Sequence, residues 1–381
     1  MATDPPIELH LPPDLLIGGG TSDDLPDHVA RVGIERPLVV SDRFLLDEGP
    51  AGPLVERLSA AGLAVEVFGD VQPDPTVANV NGALEALRAH EADGVVAIGG
   101  GSPMDTAKAA AAASTNDRDL REFAGYHQVP NQGLPLVAVP TTAGTGSEVG
   151  RGAILILDDG RKVGVISPFV VPNVAICDPA LTLGLPPALT AATGMDAIAH
   201  CIETFLSPAF NPPADGIALD GLRRAWRHIE RATRQPGDRD ARLNMMSASM
   251  QGALAFQKGL GCVHSLSHSL GGIDPRLHHG TLNAIFLPAV VAFNQAAASV
   301  RKEDKLDRMA KAMGLASGDE VGPSVGAMTE RLGLPTGLAQ LGVTRAMFPD
   351  IVRGALKDHS HRTNPRVACD TDYEAMLEAS L

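Results

Sequence analysis

The chain has 381 residues, a net charge of −14 at pH 7 and a pI near 5.3, and 44% of its residues are hydrophobic. This length favours two domains, and the acidic balance, with only 3% aromatic residues, argues against a nucleic-acid or anionic-membrane partner. No apolar run reaches membrane-spanning length, the N-terminus lacks the features of a secretory signal and the four cysteines are scattered, so we expect a cytoplasmic protein.

The first 185 residues alternate short apolar runs with helical patterns. Four runs predict buried strands, over 36–42, 64–70, 93–101 and 134–142. Residues 151–178 predict a hairpin followed by a further short strand. Strand–helix alternation of this kind predicts a parallel sheet with helices on both faces, and ligands of such sheets bind at the carboxyl ends of the strands.

Two Gly-rich loops follow two of these strands. The first runs from Gly99 to Ser102 and leads into a helical pattern, which is the arrangement of a phosphate cradle at a helix N-terminus. The second, from Thr141 to Glu148, consists of small hydroxyl residues and glycines that allow a close approach to a ligand. Either loop alone is also explained by chain reversal, but two on neighbouring strand ends favour a ligand site.

A carboxylate, Asp42, follows the strand over 38–41. At this place it is able to accept hydrogen bonds from an adenosine ribose and to repel a 2′-phosphate. A solvated turn aspartate is the alternative. The chain has no standard GxGxxG, so an ordinary Rossmann fingerprint is not predicted.

From about residue 185 the strand-like runs give way to Ala-, Leu- and Met-rich helical patterns. Asp196 and His200 are four residues apart in one of them, and His264 and His268 are four apart in another, so each pair shares a helix face. A carboxylate with imidazoles suits Fe²⁺ or Zn²⁺, and one of His278 and His279 is the candidate for a fourth ligand. The alternative for any one pair is a helix-surface contact. Other histidines in charged contexts are expected to be solvated: His228, His359 and His361.

Four motifs, in order, carry a resemblance to a known family: GGGSPMDTAK (99–108), PTTAGTGSEV (140–149), DPALTLGLPPALTAATGMDAIAHCIE (178–203) and HSLSHSLGG…HHGTLNAIFLP (264–288). With them the chain resembles the iron-containing (group III) alcohol dehydrogenases, which transfer hydride between NAD(P) and an alcohol/aldehyde pair. The resemblance implies a dehydroquinate synthase-like fold. It consists of an α/β NAD-binding domain over 1–185, with a parallel sheet, and an all-helical metal-binding catalytic domain over 186–381, with the active site in the cleft between them.

The resemblance also assigns roles to residues. The metal ligands correspond to Asp196, His200, His264 and His279, and His279 is preferred to His278 because it directly precedes Gly280. His268 corresponds to a catalytic proton-relay or positioning residue. The pyrophosphate of NAD would lie on Gly99, Gly100, Gly101 and Ser102, with Asp105 nearby. Thr141, Thr142, Thr145 and Ser147 would line the nicotinamide side, Lys162 would reach the cofactor, and Asp42 would favour NAD over NADP.

The substrate is the least determined part of this prediction. Arg151, Phe256 and Lys258 are the candidate pocket residues, and the two cations would suit an ω-hydroxy acid such as 4-hydroxybutyrate, or a sulfonate or phosphonate analogue. Structural salt bridges are the alternative for both cations. The alternative enzymes are a maleylacetate reductase, which lacks the metal, and a glycerol-1-phosphate dehydrogenase- or dehydroquinate synthase-like protein. A homodimer is the oligomer that the resemblance favours.

Overall fold

The computed structural model describes residues 9–381. Residues 1–8, on which the prediction of the first domain and the expectation about a secretory signal both partly rest, lie outside the described residues. The strands are β1 (Asp14–Ile17), β2 (Pro37–Val40), β3 (Glu66–Phe68), β4 (Gly94–Gly99), β5 (Gly125–Tyr126), β6 (Leu136–Pro140), β7 (Gly152–Ile156), β8 (Lys162–Ile166) and β9 (Val174–Cys177).

The main sheet is parallel throughout, with the strand order β1-β9-β6-β4-β2-β3. Strands β2, β4, β6 and β9 are buried along their whole length, which is why they read as continuous apolar runs instead of alternating patterns. The helices of this half are α1 (Leu25–Arg31), α2 (Arg43–Asp47), α3 (Ala51–Ala60), α4 (Val77–His90) and α5 (Gly101–Ser114). The four predicted strands are present, and β2, β4 and β6 are buried as predicted, whereas β3 lies at the edge of the sheet and is partly exposed.

The predicted hairpin is confirmed as well. Strands β7 and β8 pair antiparallel around a turn whose Gly160 has φ +80°, a left-handed conformation that glycine adopts without strain. Strand β5 extends the hairpin into a small second sheet in the order β5-β8-β7. This sheet brings Tyr126 and Lys162 to one side of the cavity described below.

After β9 the chain is helical. The helices are α6 (Pro187–Leu206), α7 (Pro212–Arg234), α8 (Arg239–Ala255), α9 (Cys262–Ile273), α10 (His279–Asn294), α11 (Ala298–Lys302), α12 (Lys305–Met313), α13 (Val321–Arg331), α14 (Phe348–Ala355) and α15 (Asp370–Ala379). Helices α6, α9 and α10 are apolar on nearly every face because they form the centre of this bundle. The predicted fold class, a parallel sheet followed by an all-helical part, is confirmed.

Two features of this architecture bear on function. Strands β4 and β6 are neighbours, with Gly99 opposite Pro140, so the two Gly-rich loops do leave adjacent strand ends. Over the described residues, no helix combines the length and apolar character that a membrane crossing requires.

Candidate active site

Four side chains from three buried helices meet around Asp196 Oδ1, and the ligand atoms of three of these residues, Asp196, His264 and His279, all lie within 4.8 Å of one another. Asp196 and His200 are one turn apart on α6, His264 lies in the first turn of α9, and His279 begins α10. The Nε2 atoms of His200, His264 and His279 lie 3.7, 3.7 and 3.6 Å from Asp196 Oδ1. We call these four residues the Asp196 cluster.

These distances fit a metal ion better than direct hydrogen bonds. They exceed hydrogen-bond length, whereas ligand atoms about 2.1 Å from a tetrahedral ion lie roughly 3.4 Å from one another. Burial holds the pKa of His264 and that of His279 well below the ordinary histidine value, so both imidazoles keep a lone pair for a cation. One carboxylate oxygen and three imidazole nitrogens form a donor set suited to Fe²⁺ or Zn²⁺.

Glu203, which sequence reasoning left without a role, orients His264. Its Oε2 lies 2.5 Å from His264 Nδ1, and its two oxygens accept from the backbone N–H groups of Val263 and His264 at 2.7 and 3.3 Å. With Nδ1 engaged, the Nε2 atom of His264 faces the cluster, which is the usual outer support of a metal-binding histidine. The sequence did contain a signal for Glu203: Asp196, His200 and Glu203 follow one another at intervals of about one helical turn, so all three lie on one face of α6.

Asn283, one turn after His279, closes the other side of the Asp196 cluster. Its Nδ2 donates to Asp196 Oδ1 at 2.8 Å and lies 3.1 Å from His279 Nε2. Its own Oδ1 is buried and has no hydrogen-bond partner among residues 9–381. A buried acceptor without a donor is uncommon, and a bound polar group or water would satisfy it.

His268 lies beside the Asp196 cluster and outside it. Its ring stacks on that of His279 with a centroid separation of 5.2 Å, and its Nδ1 lies 2.9 Å from Asp358 Oδ2. The neighbouring imidazoles and hydrogen bonds hold the pKa of the Asp358 carboxyl below its ordinary value in spite of burial, so it is a carboxylate. This pairing fixes Nδ1 of His268 as the donor and leaves Nε2 as the acceptor.

The prediction that His359 is solvated is wrong. Its ring stacks on that of His268 at 5.6 Å between centroids, and only 25% of its side chain is exposed. The charged residues next to His359 in the sequence suggested a solvent-exposed segment, but the turn after α14 places this segment against the cavity. His361 faces away and contacts the Tyr373 hydroxyl at 2.9 Å through its Nδ1.

The structure separates the two adjacent histidines at the start of α10. His278 is the extended residue that precedes the helix, and His279 is the first helical residue. The geometry directs Nε2 of His279 to Asp196, while Nδ1 of His279 contacts the Ser267 hydroxyl at 3.2 Å. His278 lines the cavity without joining the Asp196 cluster.

The two Gly-rich loops pack tightly against each other at the carboxyl edge of the sheet. A Cβ added at Gly101 would lie 2.9 Å from Thr145 Cγ2, and one at Gly100 would lie 3.3 Å from Thr142 Cγ2. A side chain at Gly101 would therefore clash with Thr145 and one at Gly100 would require Thr142 to shift, so the two glycines leave an open cradle at the N-terminus of α5. The predicted cofactor residues that line the cavity are Gly100, Gly101, Ser102, Asp105, Thr142, Thr145, Ser147 and Lys162.

Three predicted cofactor residues lie outside the cavity lining: Gly99, Thr141 and Asp42. Thr141 is buried, and its N–H donates to Gly99 O at 2.9 Å, because both residues continue the pairing of β6 with β4. Asp42 caps α2 by accepting from Leu45 N at 2.9 Å. It nevertheless lies at the carboxyl end of β2, next to β4, which is the edge that the Gly-rich loops share.

Asp105 and Lys108, one turn apart on α5, form hydrogen bonds to the segment 147–154, which includes the end of the second Gly-rich loop and the start of β7. Asp105 accepts from Ser147 Oγ at 2.6 Å and from Ile154 N at 2.9 Å. The Lys108 ammonium donates to Gly150 O and Gly152 O, each at 2.8 Å. Burial lowers the pKa of Lys108 to about 8 and raises that of Asp105, although each counteracts the shift of the other.

The candidate cations differ in what they contact. Lys162 is paired with Asp74 at 2.5 Å and lines the cavity. Arg151, between the two carbonyls that Lys108 holds, also lines the cavity and donates to Gln257 O at 3.3 Å. The ring of Phe256 lies 5.3 Å from that of His200, so it forms an apolar wall beside the Asp196 cluster.

For Lys258, the structure shows the salt bridge that was the alternative to substrate binding. Its Nζ contacts Asp215 at 2.5 Å and Phe205 O at 3.3 Å, and only 1% of its side chain is exposed. The ammonium is thereby committed to the C-terminal end of α6, where a cation is favourable. Burial lowers the pKa of Lys258 to about 8.

One cavity of about 820 Å³ joins these parts. It extends from the Gly-rich cradle past Lys162 to the Asp196 cluster, and onward to a wall that contains Tyr126, Arg151 and His359. Its volume suits a nucleotide-sized ligand together with a small molecule. The arrangement therefore places a phosphate cradle, a metal-competent cluster and a proton-accepting imidazole around one space.

Comparison with known proteins gives a consistent result along the chain. A family model described as "Iron-containing alcohol dehydrogenase" matches residues 12–179, and one described as "Fe-containing alcohol dehydrogenase family, C-terminal" matches residues 190–381. A 4-hydroxybutyrate dehydrogenase from Cupriavidus necator is 57% identical over 365 residues, which cover 94% of this chain and 95% of that protein.

Solved structures agree with the sequence comparison. A crystal structure of 1,3-propanediol oxidoreductase superposes with a TM-score of 0.94 at 32% identity, covering 99% of this chain and 100% of that one. A sulfoacetaldehyde reductase from Bifidobacterium kashiwanohense, solved in complex with NAD⁺, gives a TM-score of 0.89 at 30% identity and covers 99% of both chains.

Proposed function

The chain belongs to the iron-containing alcohol dehydrogenase family, and on that premise we propose that the Asp196 cluster holds its metal ion. The protein is an NAD- and metal-dependent oxidoreductase that transfers a hydride between NAD(H) and an alcohol/aldehyde pair. The observation that carries the ligand assignment is the convergence of three Nε2 atoms at 3.6–3.7 Å from Asp196 Oδ1.

When bound, Fe²⁺ or Zn²⁺ supplies a Lewis acid that lowers the pKa of the alcohol and polarises the carbonyl of the aldehyde. In oxidation, His268 Nε2 would accept the hydroxyl proton while its Nδ1–H donates to Asp358, and bound NAD⁺ would supply the acceptor for the hydride of the carbinol carbon. In reduction the same imidazole returns the proton to the oxygen. The ring of Phe256, beside His200, would limit the access of water to one side of the Asp196 cluster.

The first half of the chain would hold NAD. The pyrophosphate is assigned to the cradle of Gly99, Gly100, Gly101 and Ser102, where the N-terminus of α5 favours an anion. Thr142, Thr145 and Ser147 would line the nicotinamide side, with Lys162 across the cavity. Asp42 would accept from the adenosine ribose, which favours NAD over NADP because a 2′-phosphate would meet a carboxylate. Residues 1–185 would thus form the NAD-binding domain and residues 186–381 the catalytic domain.

The proposed substrate is an ω-hydroxy acid, with 4-hydroxybutyrate as the first candidate. A relative that covers nearly the whole chain bears the name of that activity. Arg151, in the wall of the cavity, is a cation suited to the carboxylate. Lys258 is withdrawn from this role because of its salt bridge with Asp215.

The test is a panel of alcohols on protein that has been stripped of metal and reloaded with Fe²⁺ or Zn²⁺, with NAD and NADP compared through NADH or NADPH absorbance. We expect turnover only in reloaded protein, a preference for NAD, and 4-hydroxybutyrate ahead of short neutral alcohols. Full activity in stripped protein would refute the ligand assignment. Equal efficiency with neutral alcohols would refute the substrate assignment and leave the enzyme class intact.

We also propose a cytoplasmic homodimer. The cysteines that the structure describes are all unpaired, as in a reducing compartment, and the chain is strongly acidic. Light scattering coupled to size exclusion would measure the mass, and a monomer at working concentration would refute the oligomer.

A further inference from the structure

The wall of the cavity beyond His268 carries an imidazole that the reaction as described does not use. His359 lines the cavity, and in residues 9–381 neither of its ring nitrogens has a hydrogen-bond partner. The nearest carboxylate oxygen, Asp358 Oδ2, lies 3.6 Å from His359 Nδ1, beyond hydrogen-bond length, and is already paired with His268. A mostly buried imidazole that makes only this long contact with a carboxylate, and that faces a ligand cavity, has its N–H donor available for a ligand.

Other donors surround His359. The ring of Tyr126 meets it edge-on at 6.3 Å between centroids, and Tyr126 is close enough to Arg151 to be influenced by the guanidinium charge. Ser360, next in the chain, also lines the cavity, and its buried hydroxyl has no partner among the described residues. This end of the cavity therefore offers a guanidinium, an imidazole and hydroxyl groups, which together suit a carboxylate.

We propose that His359 is a specificity-determining residue that binds the carboxylate of the ω-hydroxy acid together with Arg151. This inference rests on the proposed function, because it presumes that the hydroxyl end of the substrate lies at the Asp196 cluster beside His268. It assigns to His359 no part in the transfer of hydride or proton.

The spacing of the rings is consistent with a four-carbon acid. The centroids of His268 and His359 are 5.6 Å apart. In an extended 4-hydroxybutyrate, four skeletal bonds separate the hydroxyl oxygen from the carboxyl carbon, and bonds of about 1.5 Å give a span of roughly 5 Å. With the alcohol oxygen within hydrogen-bond distance of His268, this acid would therefore be long enough for its carboxylate to reach His359. A shorter acid would leave a gap at this end.

The test compares 4-hydroxybutyrate with 4-hydroxybutyramide, which has nearly the same shape and no charge. The measured quantity is the ratio of the two kcat/KM values in the reloaded holoenzyme. In His359→Ala we expect this ratio to fall by about 10-fold to 100-fold, as for the loss of one hydrogen bond to a charged group. His359→Gln keeps an N–H donor and should retain part of the preference.

His361→Ala is the matched control, because it removes an imidazole two residues away that faces Tyr373 instead of the cavity. Its ratio should stay within about twofold of the wild-type ratio, as for a change without substrate contact. An unchanged ratio in both His359 variants, with the wild-type preference for the acid intact, would overturn the role of His359 alone. A wild-type enzyme that does not prefer the acid would overturn the proposed substrate class, and this inference with it.

Discussion

Replacement of Glu203 by Gln tests whether the Asp196 cluster binds the metal with His264 in the assigned orientation. Glu203 lies 61 residues before His264 in the chain, and its Oε2 contacts His264 Nδ1 at 2.5 Å. A Gln amide keeps the size of the side chain but turns one acceptor into a donor. The NH₂ group of the Gln side chain must then point either at the Nδ1–H of His264 or at the N–H of Val263, so that two donors face each other. At His264 this conflict is relieved only if the imidazole proton moves from Nδ1 to Nε2.

The size of the effect follows from that conflict. A hydrogen bond to a charged group contributes about 1.5–3 kcal/mol, so its loss should weaken metal binding by roughly 10-fold to 100-fold. Loss of an outer partner of a metal-binding histidine typically has the same magnitude. Because burial raises the pKa of Glu203 to about 7, the comparison belongs at about pH 8, where the wild-type carboxyl is ionised.

The assay is a competition for Zn²⁺ between the protein and a chelator, with far-UV circular dichroism to show that the variant is folded. Glu148→Gln is the matched control, since Glu148 is also a buried acid whose pKa is raised to about 7, and its charged neighbour is Lys108 instead of a histidine. Zinc affinity should fall in the Glu203 variant and stay unchanged in the control. Equal affinity in both folded variants would refute the assigned orientation of His264.

Three further predictions concern other parts of the chain. His264→Ala should lose bound metal and turnover while still binding NADH, followed by fluorescence, and an active metal-free variant would contradict the ligand assignment. Burial raises the pKa of Glu148 from 4.5 to about 7, so the folded state loses stability as the pH rises from about 5 to about 8 and this carboxyl ionises. The free energy of unfolding of Glu148→Gln, relative to that of the wild type, should therefore be up to about 3 kcal/mol higher at about pH 8 than at about pH 5. An equal effect of the substitution at the two pH values would argue against a buried acid. Lys108→Met should lower the free energy of unfolding in urea by about 1–3 kcal/mol by leaving Gly150 O and Gly152 O without a donor, and a variant as stable as the wild type would contradict that bracing role.

Local patterns predicted most of the fold. The strands of the main sheet were visible because parallel strands are buried on both faces and so appear as unbroken apolar runs. The pair Asp196 and His200 was visible because one helical turn separates them. The two Gly-rich loops were assigned to one ligand edge because they follow successive strand patterns, and β4 and β6 indeed pair.

The residues that sequence reasoning missed or misjudged all depend on contacts between distant parts of the chain. Asp358 lies 90 residues after His268, and no local spacing relates the two. His359 looked solvated among charged neighbours, and the sequence left open whether Lys258 binds a substrate or forms a salt bridge until its partner Asp215 was known. Charge and polarity in a short stretch do not tell which side of the fold that stretch will face.

The sequence by itself determined the two-part architecture, the strand ends that form the cradle, and the helices that carry Asp196, His200 and His264, because each of these follows from periodicity within a single element. The resemblance had already favoured His279 over His278, and the structure shows His279 Nε2 facing Asp196. Only the tertiary structure decided that Glu203 and Asp358 orient the two imidazoles, and that His359 closes the cavity. The physical reason is that periodicity selects a face of a helix, whereas the group this face meets depends on how helices far apart in the chain pack together.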